Sequence, residues 1–365
     1  MRTDADRARA IEHWFGERSR DLPWRRETAP GRRDPYRTLV SELMLQQTQV
    51  SRVVEKFEPF LERFPTARDL ADADEDDVLA MWSGLGYYRR ARLLHAAAKA
   101  IRDDFGGATP ETEPELRSLP GVGRYTASAV AAFAAGARTP VVDGNVSRVL
   151  LRLEGEAMRH AAPETERWAW ARASTLTESI PETVGARAVS EGLMELGATI
   201  CTPRNPSCDD CPIRPGCVAA SEGRQHDIPL PKVRSKRREL FVTCAVVTDP
   251  AGRVLMEQRP GKGLWARMWQ PIASEADAPE DARRALTARL SAITSAEPVS
   301  LGSFAHVTTH REVRFEVLGG EGPAASVDGA RWVDPSGLDA LAVSNAHLRA
   351  LRLASRDGAG SLFGS

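Results

Sequence analysis

The sequence contains no uninterrupted run of about 18 apolar residues, the length that a transmembrane helix requires. Its N-terminal stretch, MRTDADRARA, also lacks the apolar segment of a secretory signal peptide. Both absences favour a cytoplasmic protein without a membrane span. The net charge is only −1, so binding to a nucleic acid would need local basic patches rather than an overall positive field.

Lysine is scarce while alanine and arginine are abundant, which we interpret as a base-composition bias of the genome. Cysteine is also rare, with five residues, and the apolar setting of Cys244 indicates an inert core thiol. The other four fall within residues 201–217 at the spacing C-x6-C-x2-C-x5-C. These candidate ligands are Cys201, Cys208, Cys211 and Cys217.

Such a cluster of cysteines in a cytosolic chain indicates a metal site rather than disulfides. Zinc sites more often pair two C-x2-C motifs, and only one is present here. A [4Fe–4S] cluster also takes four cysteines. The spacing favours an iron–sulfur cluster and leaves zinc as the alternative.

The apolar patterns divide the chain into a helical region over 1–221, a linker over 222–239 and a smaller α+β domain over 240–365. The linker is rich in proline and basic residues, and it resembles an exposed connection. Helical patterns in the first region cover roughly 5–18, 35–63, 74–80, 90–105, 113–118, 124–136, 146–153, 163–179 and 184–199. After the linker, LFVTCAVVTD, RVLMEQR and HREVRFEVLG are typical of strands, and 279–293 of a helix.

A lone acid, Glu42, stands in the stretch VSELMLQQTQV. Its apolar neighbours recur at helical spacing and would face a core: Leu39, Val40, Leu43 and Met44. Glu42, Gln46 and Gln49 then share the opposite face. That face could be an ordinary solvated surface, or it could line a cleft in which Glu42 is a working acid with a pKa raised by apolar surroundings.

A second acid, Asp143, begins a helix in TPVVDGNVSRVL and is predicted to be its N-cap. Backbone N–H groups would lower the pKa of Asp143 and keep it ionised. A protonated Glu42 and an ionised Asp143 would form the acid and anion that cleavage of a sugar C1 bond requires.

The segment LRSLPGVGRYTASAVAAFA predicts two helices joined by a glycine turn. Gly121 and Gly123 would let backbone N–H groups point outward, and Arg124 would add a positive charge at the start of the second helix. Together they could hold a DNA phosphate. The alternative is a plain helix–turn–helix connection.

Seven segments together resemble the MutY-type adenine DNA glycosylases of the helix-hairpin-helix (endonuclease III) superfamily. These are LPWR, SELMLQQTQV, WSGLGYYRRAR, LPGVGRYTA, VDGNVSRVL, EGLMELGATIC and the cysteine spacing. The resemblance is dense over 10–220 and continues more loosely into a Nudix-like C-terminal domain. It implies a monomeric enzyme of base excision repair that binds double-stranded DNA, flips adenine out from opposite 8-oxoguanine or guanine, and carries one [4Fe–4S] cluster.

The resemblance also implies residue roles. Glu42 would protonate adenine, Asp143 would stabilise the oxocarbenium ion or its adduct, and Asn145 would hydrogen-bond near them. Arg25 and Glu191 match positions of the adenine pocket, and Gln47 and Tyr87 match residues that enter the base stack. Without the family, Tyr87 and Tyr88 could equally be core aromatics, and Trp82 is expected to be one.

The residue at position 125 distinguishes glycosylases that also cleave the DNA strand from those that do not. Endonuclease III-like enzymes that also cleave the strand carry a lysine there, which forms a Schiff base. Tyr125 in its place favours a glycosylase without lyase activity. The alternatives are a bifunctional lyase acting on oxidised pyrimidines and a non-catalytic protein that binds damaged DNA.

The C-terminal domain departs from the family in two places. No acid lies between Asp281 and Glu297, so the glutamates with which a Nudix hydrolase binds Mg²⁺ are missing. The 8-oxoguanine-reading loop, Phe-Ser-His in the family, aligns here with Thr308, Thr309 and His310, so stacking by the phenylalanine is lost. Thr309 and His310 would read the base, whereas His306 falls outside this loop.

Overall fold

The computed structural model describes residues 3–231 and 237–356. Three of the basic residues that the sequence assigns to the linker, Lys232, Arg234 and Lys236, lie outside the described residues.

The regular secondary structure of the described chain before the linker consists of helices and short 3₁₀ turns. The helices are α1 (Asp4–Arg18), α2 (Pro35–Leu45), α3 (Val50–Arg63), α4 (Ala67–Asp72), α5 (Glu75–Met81), α6 (Arg89–Asp104), α7 (Glu113–Ser118), α8 (Arg124–Ala135), α9 (Gly144–Glu154), α10 (Pro163–Glu178), α11 (Ala186–Thr199) and α12 (Val218–Ser221). Short 3₁₀ turns occupy Pro23–Arg25 and Cys208–Asp210.

One predicted helix, 35–63, is two helices. Asp34 caps α2 by accepting hydrogen bonds from the backbone N–H groups of Tyr36 and Arg37. The chain leaves the helical conformation after Leu45, and Gln47 adopts a left-handed backbone with φ +55° before α3 begins. The apolar pattern persists across this break because α2 and α3 both face the core, so the pattern alone did not show the break.

Contacts divide the chain into two compact units. The first unit comprises Met1–Asp72 and Leu93–Val233, and the second comprises Ala73–Arg92 and Arg234–Ser365. The second unit therefore includes α5, the loop after it and the start of α6, which the sequence pattern gives no reason to separate from the other helices.

A six-stranded mixed sheet forms the centre of the second unit. Its strands are β1 (Arg238–Thr248), β2 (Val254–Gln258), β3 (Trp269–Ala276), β4 (Val299–Val307), β5 (Arg311–Glu321) and β6 (Ala330–Val333). Their order is β4-β5-β1-β3-β2-β6, with β1 and β5 parallel and the other pairs antiparallel. Two helices complete it, α13 (Pro279–Leu290) and α14 (Asn345–Arg356), with a 3₁₀ turn at Pro335–Ala340.

Residues of β1 alternate between two cores, as the period of a strand requires. Cys244 and Val246 pack with α14, whereas Ala245 and Val247 pack with α13. The prediction that Cys244 is a core thiol is confirmed, because it has no exposed surface. The helix predicted over 279–293 corresponds to α13, while β3, β4, β6 and α14 were not predicted.

Candidate active site

A cavity of about 530 Å³ lies in the first unit. It collects side chains from α2, α8, α9, α11 and the segments beside them. Eight residues singled out from the sequence line it: Arg25, Glu42, Gln46, Gln47, Tyr125, Asp143, Asn145 and Glu191. The fold therefore brings together residues that lie up to 166 positions apart in the chain, as Arg25 and Glu191 do.

Glu42 is buried on α2, with 4% of its surface exposed. Its Oε2 accepts a hydrogen bond of 2.7 Å from the Tyr125 hydroxyl. Burial raises the pKa of Glu42 to about 7, with support from the charges of Asp143 and Glu191 and against the opposing effect of the Tyr125 hydrogen bond. The predicted rise of the pKa is confirmed, and the interpretation of Glu42 as part of a solvated surface is wrong. Gln49 does not share this helical face as predicted, because α2 ends at Leu45 and Gln49 is the exposed N-cap of α3.

Asp143 is the N-cap of α9, as predicted. Its Oδ1 accepts 2.7 Å from the Val146 backbone N–H, and its Oδ2 accepts 2.9 Å from Asn145 Nδ2. The predicted lowering of the Asp143 pKa is wrong: burial raises this pKa, although both hydrogen bonds lower it. The sequence shows the helix terminus but not the depth at which the carboxyl group lies.

The amide of Asn145 is oriented by Arg148. Arg148 Nη2 donates to Asn145 Oδ1 at 2.8 Å, which turns Asn145 Nδ2 toward Asp143. Arg148 Nε also donates to the Cys201 carbonyl at 2.8 Å. Asn145 is thus held as a hydrogen-bond donor to the carboxylate, consistent with its predicted place beside Asp143.

A chain of alternating charges lines another wall of the cavity. Glu195, 1% exposed, accepts from Arg20 Nε at 2.6 Å and from Arg25 Nη2 at 2.8 Å. Glu191 Oε1 accepts from Arg25 Nε at 3.3 Å and from Arg33 Nη1 at 2.8 Å. Glu191 Oε2 is buried without a hydrogen-bond partner among the described residues, so it can accept from a bound base.

Sequence reasoning missed three of these residues, Arg20, Arg33 and Glu195. Glu195 follows Glu191 by four positions on α11, so helical spacing could have placed both on one face. Arg33 lies 158 positions from Glu191, and no local pattern connects them.

Gln47 and Tyr87 share an uncommon backbone. Gln47 has φ +55° and Tyr87 has φ +48°, a left-handed conformation that residues with a side chain rarely adopt. Gln47 lines the cavity of the first unit, and Tyr87 belongs to the second unit with 49% of its surface exposed. Trp82 and Tyr88 are buried, at 0% and 6%. Trp82 is thus the predicted core aromatic, whereas Tyr87 is not part of a core.

The glycine hairpin joins α7 to α8. Gly121 has φ +77°, and a Cβ there would approach the Leu93 side chain to 2.5 Å, so glycine is required. Gly123 has an ordinary φ of −84° and open space around it, so its own backbone conformation does not require glycine. Gly123 is the N-cap of α8, and the exposed Arg124 guanidinium lies 3.9 Å from the centre of the Trp170 ring.

Four cysteines line a second, smaller cavity of the first unit: Cys201, Cys208, Cys211 and Cys217. Arg152 Nη1 lies 3.3 Å from Cys201 Sγ, so a cation stands beside the sulfur as a thiolate would require. Four thiols around one cavity, with a guanidinium beside them, fit a group that takes cysteine ligands. Within the described residues, no three His, Cys, Asp or Glu side chains are arranged to hold a single metal ion.

The predicted reading residues lie at the tip of the hairpin between β4 and β5. Thr309 and His310 are exposed, whereas Thr308 is occupied by hydrogen bonds with the backbone of Arg311. His306 is partly buried, and its ring centre lies 5.7 Å from that of Trp265.

The helix α13 carries arginines where a Nudix hydrolase would carry acids. Arg283 pairs with Glu316, and Arg289 pairs with Glu257 at 2.5 Å. The acids of α13 are confined to its first turn, Glu280 and Asp281.

Two family models match this chain. Residues 40–174 match the model of the HhH-GPD superfamily base excision DNA repair protein, and residues 243–353 match the NUDIX domain. The human adenine DNA glycosylase is 32% identical over 410 residues, which cover 96% of this chain and 74% of the human protein. The chain belongs to the adenine DNA glycosylase family.

Other members and neighbours support this assignment. The adenine DNA glycosylase of Mycolicibacterium smegmatis is 44% identical over 201 residues, which cover 55% of this chain and 65% of that protein. A thermostable thymine-DNA glycosylase of known structure is 28% identical with a TM-score of 0.52, covering 60% of this chain and 97% of that one.

This adenine DNA glycosylase is a DNA N-glycosylase of base excision repair. The resemblance, the helical catalytic region and the Nudix-like α+β domain are confirmed. In the part of the chain that the structure describes, no helix has the length and apolar character of a membrane span.

Proposed function

We propose that this glycosylase removes adenine paired with 8-oxoguanine, or with guanine, and leaves the DNA strand intact. The observation that carries the proposal is Glu42, a buried acid whose pKa lies near 7, in the cavity that Asp143 also lines. The cavity has room for a flipped base and excludes most water from the acid.

Glu42 acts as the general acid. Adenine leaves poorly as an anion, so the bond between sugar C1′ and N9 breaks when the base receives a proton as it departs. The bonding electron pair leaves with adenine, the Glu42 proton goes to a ring nitrogen, and positive charge develops on the sugar. Water then adds to C1′ and its proton restores Glu42.

Asp143 acts as the anion that faces this positive charge. Its two oxygens are held by the Val146 N–H and by Asn145, so its position is fixed before the substrate binds. The acid and the anion are thus supplied by two carboxyl groups in one cavity, as in other glycosidic cleavages.

Tyr125 accounts for the absence of a lyase step. It occupies the position at which bifunctional relatives carry a lysine, and its hydroxyl donates to Glu42. No amine is available there to attack C1′ and form a Schiff base.

The remaining residues bind DNA. Arg25 and Glu191 recognise the adenine, and Glu191 has a buried oxygen without a partner in the described part of the chain. Gln47 and Tyr87 enter the base stack, which explains why both are held in a left-handed backbone that costs about 1 kcal/mol or more. The Gly121–Arg124 turn binds a phosphate at the start of α8. The exposed Thr309 and His310 hydrogen-bond 8-oxoguanine.

One [4Fe–4S] cluster is held by Cys201, Cys208, Cys211 and Cys217. The four cysteine side chains line one cavity, which fits a group that takes four cysteine ligands, and the presence of only one C-x2-C motif favours a cluster over zinc. Anaerobically purified protein should contain about four irons per chain. Stoichiometric zinc with negligible iron would contradict this assignment.

The activity is tested with the purified full-length protein on duplexes that place A opposite 8-oxoguanine, G, C or T. Single-turnover release of adenine should be fastest opposite 8-oxoguanine, slower opposite G and negligible opposite C and T. The abasic strand should break only after alkali or heat, and borohydride should trap little covalent complex. Equal rates opposite all four bases, or efficient trapping through a lysine, would overturn the proposal.

A further inference from the structure

The loop that carries Tyr87 is part of the second unit. Residues Ala73–Arg92 form one compact body with those from Arg234 onward, although they are far apart in the sequence. The segment contains α5, the start of α6 and the loop between them, and its α5 helix contacts the 3₁₀ turn Pro335–Ala340. Tyr87 is therefore supported by the unit that also carries the β4–β5 hairpin.

Among the described residues, the side chains of Glu75, Tyr88 and Arg92 attach this segment to the rest of the unit, and Glu75 Oε1 lies 3.5 Å from Arg267 Nε. The buried Tyr88 hydroxyl donates to the Val343 carbonyl at 3.1 Å. Arg92 Nη2 donates to the Ala266 carbonyl, and its Nε pairs with Glu75 Oε1 at 3.0 Å. Val343 precedes α14, and Ala266 lies between β2 and β3, so the two contacts reach different parts of the sheet domain.

Further contacts within the segment fix the Tyr87 ring. Trp82 Nε1 donates to the Gly86 carbonyl at 3.1 Å, and Arg90 Nη2 donates to the same oxygen at 3.0 Å. The Arg90 guanidinium lies 5.5 Å from the centre of the Tyr87 ring. Burial lowers the pKa of Arg90 to about 10, so the guanidinium stays charged at neutral pH and attracts the ring face.

We propose that Tyr88 and Arg92 are positioning residues through which the sheet domain sets Tyr87 for insertion into the base stack. The inference rests on the role given to Tyr87 under the proposed function. It assigns the sheet domain a second contribution to recognition of the mispair, in addition to the hairpin that carries Thr309 and His310.

The physical reason is preorganisation. An aromatic ring that stacks on a base gains most when its loop is ordered before the DNA arrives, because ordering on binding reduces affinity. A left-handed tyrosine also persists only where the surrounding contacts hold it. Loss of the Tyr88 and Arg92 contacts should therefore release Tyr87 without changing any residue proposed to touch DNA.

A double-mutant cycle in the full-length protein tests this coupling. The measured quantity is the dissociation constant for a duplex with a non-cleavable 2′-fluoro adenosine opposite 8-oxoguanine, at one salt concentration. Tyr87→Ala should weaken binding about tenfold, as loss of one stacked base does. Tyr88→Phe combined with Arg92→Met should weaken it about fivefold. Adding Tyr87→Ala to that pair should weaken binding no further than Tyr87→Ala alone.

Three controls separate positioning from general damage. Arg284→Met removes an arginine from an exposed ion pair with Asp281 in the same unit and should leave binding unchanged. Combining the Tyr88 and Arg92 changes with His310→Ala should give multiplied losses, because that hairpin is independent of Tyr87. Arg92→Lys should restore part of the affinity, and Tyr88→Phe alone, which keeps the ring in its core, is the variant to use if the pair unfolds.

The outcomes are distinguishable. Losses that multiply between Tyr87→Ala and the Tyr88 and Arg92 changes would overturn the inference while leaving the role of Tyr87 intact. An unchanged dissociation constant for Tyr87→Ala would overturn both that role and the inference.

Discussion

Two carboxylates, the buried Glu42 of the first unit and the partly buried Glu257 of the second, have opposite surroundings. In the first unit, Glu42 accepts from the hydroxyl of Tyr125, and no ion pair reaches it among the described residues. In the second unit, Glu257 accepts from the Ala273 backbone N–H at 2.9 Å and pairs with Arg289 at 2.5 Å. The comparison shows that the hydrogen-bond partner of a carboxyl group determines whether that group can hold and donate a proton. A hydroxyl partner leaves Glu42 able to hold and donate a proton, whereas an arginine partner commits Glu257 to the fold.

The largest effect on base release is expected when Glu42 is replaced. Glu42→Gln keeps the shape and can still accept from Tyr125, but it carries no transferable proton. Single-turnover base release should fall by about 10³-fold or more, since general acid catalysis contributes about 10²–10⁴-fold. Asp143→Asn should cause a loss of similar size because it removes the anion.

Both variants should bind the mispaired duplex within a few-fold of wild type, because the two groups act mainly in the transition state. A near-normal rate for Glu42→Gln would show that another group donates the proton.

The pH dependence of base release is the next largest effect. Glu42 must be protonated to act, and burial places its pKa at about 7. The single-turnover rate should therefore fall about tenfold for each pH unit above 7. Tyr125→Phe sharpens this test, because the Tyr125 hydrogen bond favours the charged form of Glu42. Its removal should move the alkaline limb to higher pH, and an unmoved limb would assign that limb to a different group.

The apolar residues at helical spacing near Glu42 left two interpretations open, a solvated surface and a cleft, and the family resemblance favoured the cleft. The rise of the Glu42 pKa followed from the cleft interpretation, because burial disfavours the charged form. The burial of Asp143 depends on packing against distant elements, so the local rule for a helix terminus gave the wrong direction. Arg33 was missed for a related reason, because its contact with Glu191 is set by tertiary packing, whereas the spacing of Glu195 from Glu191 on α11 was a signal that the prediction did not use.

The strands that escaped prediction have a comparable explanation. β3 contains Pro271, β4 has a register shift between Ser300 and Gly302, and β6 is four residues long. Each departs from a clean alternation of apolar and polar residues. The placement of Ala73–Arg92 in the second unit has no local signal, since its helices have the same pattern as those of the first unit.

Replacement of Glu42 should raise the stability of the protein at alkaline pH, although it lowers activity. The pKa of Glu42 is raised by burial from 4.5 to about 7. Its stabilising contribution is present below about pH 4.5, declines as the unfolded chain ionises, and is lost above about pH 7. The difference amounts to about 3 kcal/mol, and the amide that Glu42→Gln introduces does not titrate. Calorimetry should find Glu42→Gln more stable than wild type by several degrees in Tm at pH 8 and nearly equal to it at pH 4. An equal Tm difference at both values would contradict the buried, titrating acid.

The smallest effect is expected when Glu257 is replaced. Unlike replacement of Glu42, this change should lower stability and leave base release nearly unchanged. Glu257→Gln removes the ion pair with Arg289 and turns an amide toward donors that a carboxylate now accepts from, the Ala273 N–H and Gln270 Nε2. An unsatisfied buried donor costs about 1–3 kcal/mol, and the exposure of Arg289, at 43%, reduces the share lost with the ion pair.

We expect a loss of about 1–2 kcal/mol in stability with base release within twofold of wild type. Urea unfolding and single-turnover kinetics on the same samples measure both quantities. A tenfold loss of base release without a loss of stability would place Glu257 in the catalytic function, and the contrast between arginine-paired and hydroxyl-paired acids would then fail.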